Sequence, residues 1–219
     1  MSKRLLIFSL VSFITAISLG QDNGVSFLAL GDSYTVGTGE SKINSWPLQL
    51  VYLSRKKNFP IQFPKIIAKA GWTTTNLLEA IEAEQPKPNY DLVTLLIGVN
   101  NQYQGKDIQI FKKEFLILLN KSIDLAKGNP KNVFVLSIPD WSVTPFARFK
   151  NKKKIVKELG AYNAIIKKES KKHEVPFIEI TQISRNAAVN TSLITSDGLH
   201  PSKKMYKLWA KKVGKKLFK

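Results

Sequence analysis

VSFLALGDSYTVGTG, residues 25–39, runs from a nearly unbroken apolar stretch straight into a glycine-rich turn. Alternation is missing from residues 25–30, so both faces of that strand are expected to be covered, as in the middle of a parallel sheet. The same signature recurs along the chain. Residues 92–97 (LVTLLI) run into Gly98-Val99-Asn100-Asn101, and residues 133–138 and 175–180 supply two more apolar runs. Residues 61–68 read as extended but more polar. Between these runs lie amphipathic stretches: residues 46–57 with Leu48, Val51 and Tyr52 on one side, 73–84 with Leu77, Leu78 and Ile81, 107–127, and 152–172 with Ile155, Leu159, Tyr162 and Ile166 inward. Gly128, Asn129 and Pro130 close the third of these, and Pro201 suits the first turn of a last helix, where its missing N–H is no loss.

Five strands alternating with helices predict an α/β fold in three layers, a doubly wound parallel sheet of flavodoxin-like order 2-1-3-4-5, because right-handed crossovers leave few other arrangements. In such a sheet the ligand crevice lies beyond the carboxyl ends of the strands, where the winding reverses between the first and third. A chain of 219 residues suits one domain, taken as residues 21–219. Cysteine is absent, which removes disulfides, Cys-ligated metals and thiol nucleophiles.

Residues 1–20 open with Lys3 and Arg4, continue apolar to Leu19 and end on small residues before Gln21-Asp22-Asn23-Gly24. That layout is a secretory signal peptide and predicts export to the periplasm or medium. A buried first helix fits less well before so polar a stretch, and an uncleaved anchor would be short against the roughly 20 residues a span needs. The full chain carries a formal charge of +18, and residues 21–219 keep +16. Thirty of the 34 cations are lysine, whereas arginine dominates bidentate base and phosphate contacts. A solvated basic surface with no dedicated partner is the first expectation, electrostatic association with an anionic envelope or membrane surface the second, and a specific nucleic acid is not expected.

The chemistry-bearing residues gather at the expected strand ends. Gly31-Asp32-Ser33 follows strand one; alone it reads equally well as a turn with a helix cap. Strand five, however, is followed by residues 181–196, a long connection with little periodicity that ends in Ser196-Asp197-Gly198-Leu199-His200-Pro201. A serine hydroxyl becomes a useful nucleophile when an imidazole takes its proton and a carboxylate fixes the imidazole tautomer. Asp197 and His200 on one short turn can supply both, while His173, in a run of lysines, reads as solvated. Donors for a developing oxyanion are available from the N–H of Ser33, the N–H of Gly71 and the Asn100 amide.

These blocks resemble those of the SGNH/GDSL hydrolase family: Gly31-Asp32-Ser33 with Thr35 and Gly37 its first, Gly71 its second, Gly98-Val99-Asn100 its third, and Asp197-Gly198-Leu199-His200 its last. The resemblance implies hydrolysis of carboxylic esters or thioesters without metal or cofactor. It implies Ser33 as nucleophile, His200 as base, Asp197 as orienter, and Ser33, Gly71 and Asn100 as the oxyanion hole. Asn101 departs from the family, which usually has Asp there.

Trp46, Trp72, Tyr103 and Trp141 stand near strand ends and, with Asn101, are candidates to line the substrate site. The expected partner is a small ester, with lipid or lysophospholipid esters ahead of acetylated carbohydrate. Two other readings remain at this point: a basic binding module without catalysis, and a phosphate or flavin site using Gly37-Thr38-Gly39.

Overall fold

The computed structural model describes residues 24–218, so the signal-peptide reading falls outside the described residues. Five parallel strands form the sheet: β1 (Phe27–Gly31), β2 (Lys65–Ala68), β3 (Leu92–Leu96), β4 (Val133–Leu136) and β5 (Phe177–Ile178), in the order β2-β1-β3-β4-β5. Every residue of β1, β3 and β4 is buried, which is why those segments read as unbroken apolar runs. On one face α2 (Trp46–Arg55) packs against α8 (Lys203–Leu217); on the other α3 (Thr74–Glu84) packs on α5 (Ile108–Leu125), and α5 on α6 (Lys152–Lys172). Trp46, Trp209 and Tyr206 fill the first interface, and Phe111 and Phe115 anchor the second.

Register decides which loops meet. Gly31 of β1 stands opposite Ala68 of β2 and Leu96 of β3, so the turns after these three strands rise side by side. Two of those turns start short helices, α1 (Ser33–Val36) and α4 (Val99–Tyr103).

Several expected boundaries shift, for local reasons. The extended segment at residues 61–68 keeps only four strand residues because Pro64 lacks the N–H a ladder needs; Ile61 forms an isolated bridge with Val25 instead. The strand expected at 175–180 shortens to two residues, since Ile180 and Thr181 donate to the Ser137 hydroxyl rather than to a backbone ladder. Pro201 does not start the last helix. It pairs with Ile194 in an antiparallel bridge, and Ser202 precedes α8 instead. The connection at 181–196 contains α7 (Thr181–Arg185) and two single 3-10 turns, elements too short to leave a periodic signal. Among the described residues no helix is long and apolar enough to cross a membrane.

Candidate active site

Asp32 follows β1 and caps α1, its Oδ1 accepting from the Tyr34 N–H at 3.0 Å. This places Ser33 in the first helical turn, where no intrahelical acceptor exists for its N–H. Three residues past β2, Gly71 holds φ +83°, a left-handed conformation that side chains disfavour, and its N–H has no acceptor among the described residues. Asn100 rises from the end of β3, and one amide hydrogen donates to the Trp72 carbonyl at 2.9 Å. Ser33, Gly71 and Asn100 line a single cavity of about 180 Å³.

The far wall comes from the other end of the chain. Leaving β5, the chain must cross back over three strand spacings, about 14 Å. α7 carries it, held down by an Arg185 Nε bond of 2.9 Å to the buried Asp140 and by the Ser184 hydroxyl, which accepts from the Asp140 N–H. A tight hairpin follows. The Thr195 N–H donates to the His200 carbonyl and the Ser202 N–H to the Leu193 carbonyl, with residues 196–199 as the loop. Gly39 makes room for this hairpin: a Cβ there would lie 2.8 Å from the Thr195 hydroxyl and 3.1 Å from an Asp197 oxygen.

Within the hairpin, Asp197 Oδ2 meets His200 Nδ1 at 2.6 Å. Its Oδ1 accepts from the Thr195 hydroxyl and from the N–H groups of Leu199 and His200. Burial pushes this carboxyl up, but the four hydrogen bonds outweigh it and hold Asp197 well below the usual carboxylate range. His200 Nε2 makes no hydrogen bond to the described residues, and the imidazole lines the same cavity as Ser33. Its ring stands edge-on to Tyr34 at 5.9 Å, so the tail of the chain does reach the residue next to Ser33.

Beneath the site, Asp32 is 1% exposed and its Oδ2 has no partner among the described residues. Burial raises its pKa to about 7 even though the Tyr34 N–H and its own N–H pull it down. Tyr34 is pushed up as well, by burial and then by the carboxylates of Asp32, Asp140 and Asp197.

The aromatic candidates divide. Tyr103 and Trp141 line the cavity, their rings 5.6 Å apart, and Phe146 completes an aromatic wall at 6.0 Å from each. Trp72 does not line it; its side chain packs on the core, and its carbonyl serves Asn100. Trp46 is wholly buried between α2 and α8. Asn101 turns away from the cavity and ties the β3 turn to α3, its Oδ1 accepting from the Thr74 N–H and its Nδ2 donating to the Thr74 hydroxyl. An acidic residue there could not make the second of these bonds unless protonated, which gives the Asn a local reason.

Sequence reading missed Phe146, Leu199 and Thr195. Phe146 sits in a 3-10 turn, Pro145–Ala147, tied to the hairpin by its N–H bond to the Gly198 carbonyl, and no period marks such a position. Leu199 and Thr195 flank Asp197, so proximity to it was the available signal. Among the described residues no group of three or more His, Asp or Glu gathers as a metal site would require.

The fold is shared with solved esterases at low identity. A psychrotrophic esterase, EstA from Pseudoalteromonas sp., superposes with TM-score 0.66 at 16% identity over 88% of this chain and 96% of its own. The acetylxylan esterase Axe2 from Geobacillus stearothermophilus gives 0.67 at 15% identity, covering 90% and 96%. TesA gives 0.68 at 15%, covering 88% and 97%. No curated protein sequence matches. The model of the GDSL-like lipase/acylhydrolase family matches residues 29–208, from the strand that delivers Ser33 to the helix that follows His200, and the chain belongs to that family.

Proposed function

We propose that this chain is a serine esterase that works through an acyl-enzyme intermediate. Ser33 Oγ attacks the ester carbonyl while His200 Nε2 takes its proton. The same imidazole then protonates the departing alcohol, and in the second half-reaction it activates water to release the acid. Asp197 keeps the Nδ1 proton on its own side and stabilises the imidazolium that forms in each step. The N–H groups of Ser33 and Gly71 and the remaining amide hydrogen of Asn100 are the donors offered to the tetrahedral oxyanion. One observation carries this reading: the Asp197–His200 pair, contributed from the end of the chain, opens on the same cavity as Ser33. A binding module would have no use for that pairing.

Cavity size bears on the substrate. At about 180 Å³ it is well below the roughly 300–1,000 Å³ of sites that bury drug-sized ligands. This favours a short acyl group, acetyl above all, over the long chain of a lysophospholipid that composition suggested. The wall of Tyr103, Trp141 and Phe146 suits the flat face of a sugar or another bulky alcohol portion. The acetylxylan esterase among the structural neighbours is in keeping with an acetylated carbohydrate. An export signal in residues 1–20 would bring the enzyme to such substrates outside the cytoplasm.

The test is a panel of aryl esters from acetyl to palmitoyl, acetylated xylo-oligosaccharides and lysophospholipids, assayed with wild type and Ser33→Ala. Acetyl esters should turn over fastest, and Ser33→Ala should lose both activity and labelling by a serine-directed fluorophosphonate. Undiminished hydrolysis by Ser33→Ala would overturn the mechanism; a palmitoyl optimum would overturn the short-acyl assignment alone.

A further inference from the structure

The two helical layers differ in charge. On the α3/α5/α6 side every helix carries acids among its cations, Glu79, Glu82 and Glu84 on α3, Glu114 and Asp124 on α5, Glu158 and Glu169 on α6, and two of them pair, as Lys121–Glu82 and Lys154–Glu158. On the α2/α8 side the one acid shown against either helix is Glu40, which accepts from the Lys203 N–H at the start of α8. No Asp or Glu occurs from Ser41 to Leu78 or after Asp197, so both packed helices are free of acidic residues. Arg55, Lys56 and Lys57 end α2, and α8 carries seven lysines, from Lys203 to Lys216, all exposed. Its burial alternates in pairs: Met205-Tyr206, Trp209-Ala210 and Val213-Gly214 are buried, which leaves Lys203-Lys204, Lys207-Leu208, Lys211-Lys212 and Lys215-Lys216 outward. None of these ten cations has a salt bridge among the described residues.

At the carboxyl ends of α2 and α8, on the side of the fold away from Ser33, this face opens into a groove of about 490 Å³. Its floor is apolar, Leu53, Gly214 and Phe218, and its rim is Lys56, Lys57, Lys211 and Lys215. Phe59 packs on Phe218 with ring centroids 5.6 Å apart, and the neighbouring Pro60 carbonyl accepts from the Val25 N–H. The described chain therefore starts beside the groove.

We propose that the α2/α8 face docks on the surface of an anionic phospholipid bilayer, with the lysines on headgroup phosphates and the Leu53–Phe218 floor against the acyl boundary. Two features select lipid over a polyanionic polymer. The cations are nearly all lysine, whose point charge suits a diffuse anionic surface, whereas bidentate phosphate recognition favours arginine. An apolar floor inside a basic rim matches an interface that is charged outside and oily within. Docking here leaves the catalytic cavity, at the opposite ends of the strands, open to solvent, and it does not depend on the esterase reading.

Vesicle co-sedimentation of the full chain tests this, using phosphatidylcholine alone and phosphatidylcholine with phosphatidylglycerol. Each lysine near an anionic surface adds on the order of fivefold to partitioning. Lys56→Glu, Lys57→Glu, Lys211→Glu and Lys215→Glu together should therefore cut binding to the mixed vesicles more than tenfold and leave the small phosphatidylcholine baseline unchanged. The matched reversal of Lys167, Lys168, Lys171 and Lys172 on α6 should cost less than threefold. Phe218→Ser should weaken vesicle binding severalfold without changing retention on duplex DNA, and thermal melts confirm that each variant is folded; if the α2/α8 reversal is not, the four Gln substitutions replace it. Equal losses from both reversals would overturn the proposal, as would equal binding to the two vesicle types. So would a Phe218→Ser variant that binds mixed vesicles like wild type.

Discussion

The two halves of the candidate active site are held in place by different means. Ser33, Gly71 and Asn100 stand on the ends of β1, β2 and β3, and the register of a wholly buried sheet sets their spacing. Asp197 and His200 stand on a hairpin after a long return across the sheet, and polar contacts set their position: Arg185 to Asp140, Thr195 to Asp197, and Phe146 to Gly198. Backbone ladders shared by three strands are cooperative, so the first half should tolerate polar substitutions nearby. The second half depends on a few hydrogen bonds, each worth on the order of 1–3 kcal/mol when a charge is involved, and should lose precision one bond at a time.

Asp197→Asn should break the contrast most sharply. The Asn Oδ1 can still accept from the Leu199 and His200 N–H groups, so the hairpin should keep its fold, but its Nδ2 would present hydrogens to His200 Nδ1 and reverse the tautomer. A fall in kcat on the order of 10³ to 10⁴ with an unchanged melting temperature is expected; a fall below tenfold would detach Asp197 from the chemistry. Asn100→Ala tests the strand-end half and should cost on the order of 10² to 10³ in kcat with little change in KM. Unchanged turnover there would remove the amide from the oxyanion site.

Thr195→Val probes the hairpin with less force. It removes one charged hydrogen bond to Asp197 Oδ1 and keeps the side-chain shape, so kcat should drop roughly tenfold. A Thr195→Ser variant should restore most of it, which simple loss of packing would not allow.

Asp32 offers a sign that separates it from Asp197. Its pKa in the folded protein is raised to about 7 by burial, so folding favours the protonated form. Its contribution is fully present below the ordinary value near 3.8 and is lost as pH rises through about 7. Asp197, held low, behaves oppositely: its contribution is present above the ordinary value and is lost only as pH falls well below it. Asp32→Asn keeps an oxygen for the Tyr34 N–H without the buried charge. Denaturant melts should therefore show it gaining on the order of 4 kcal/mol over wild type at pH 8 relative to pH 4. Equal stability of the two proteins at pH 8 would mean that the carboxylate is solvated or paired.

How much could be read beforehand follows the same division. Strands buried on both faces announced themselves as apolar runs, and the Gly31-Asp32-Ser33, Gly98-Val99-Asn100 and Asp197-to-His200 blocks were visible because few residue types suit their turns. The short elements were not visible, since α7 and the 3-10 turns are less than two helical turns long and carry no period. Aromatic residues were ambiguous for a different reason: Trp46, Trp72 and Trp141 all follow strand ends or turns, and only packing sent the first two to the core and the third to the cavity.

What the sequence determined by itself is the βα alternation, the order of the sheet and the residue types placed after its strands, because hydrophobic period and handed crossovers are properties of the chain taken locally. The tertiary structure alone decided that His200 comes to the cavity of Ser33, that Phe146 joins its wall, and that the acid-free helices α2 and α8 share one face. Contacts between residues so far apart in sequence depend on which surfaces the packed layers bring together, and no local pattern encodes them.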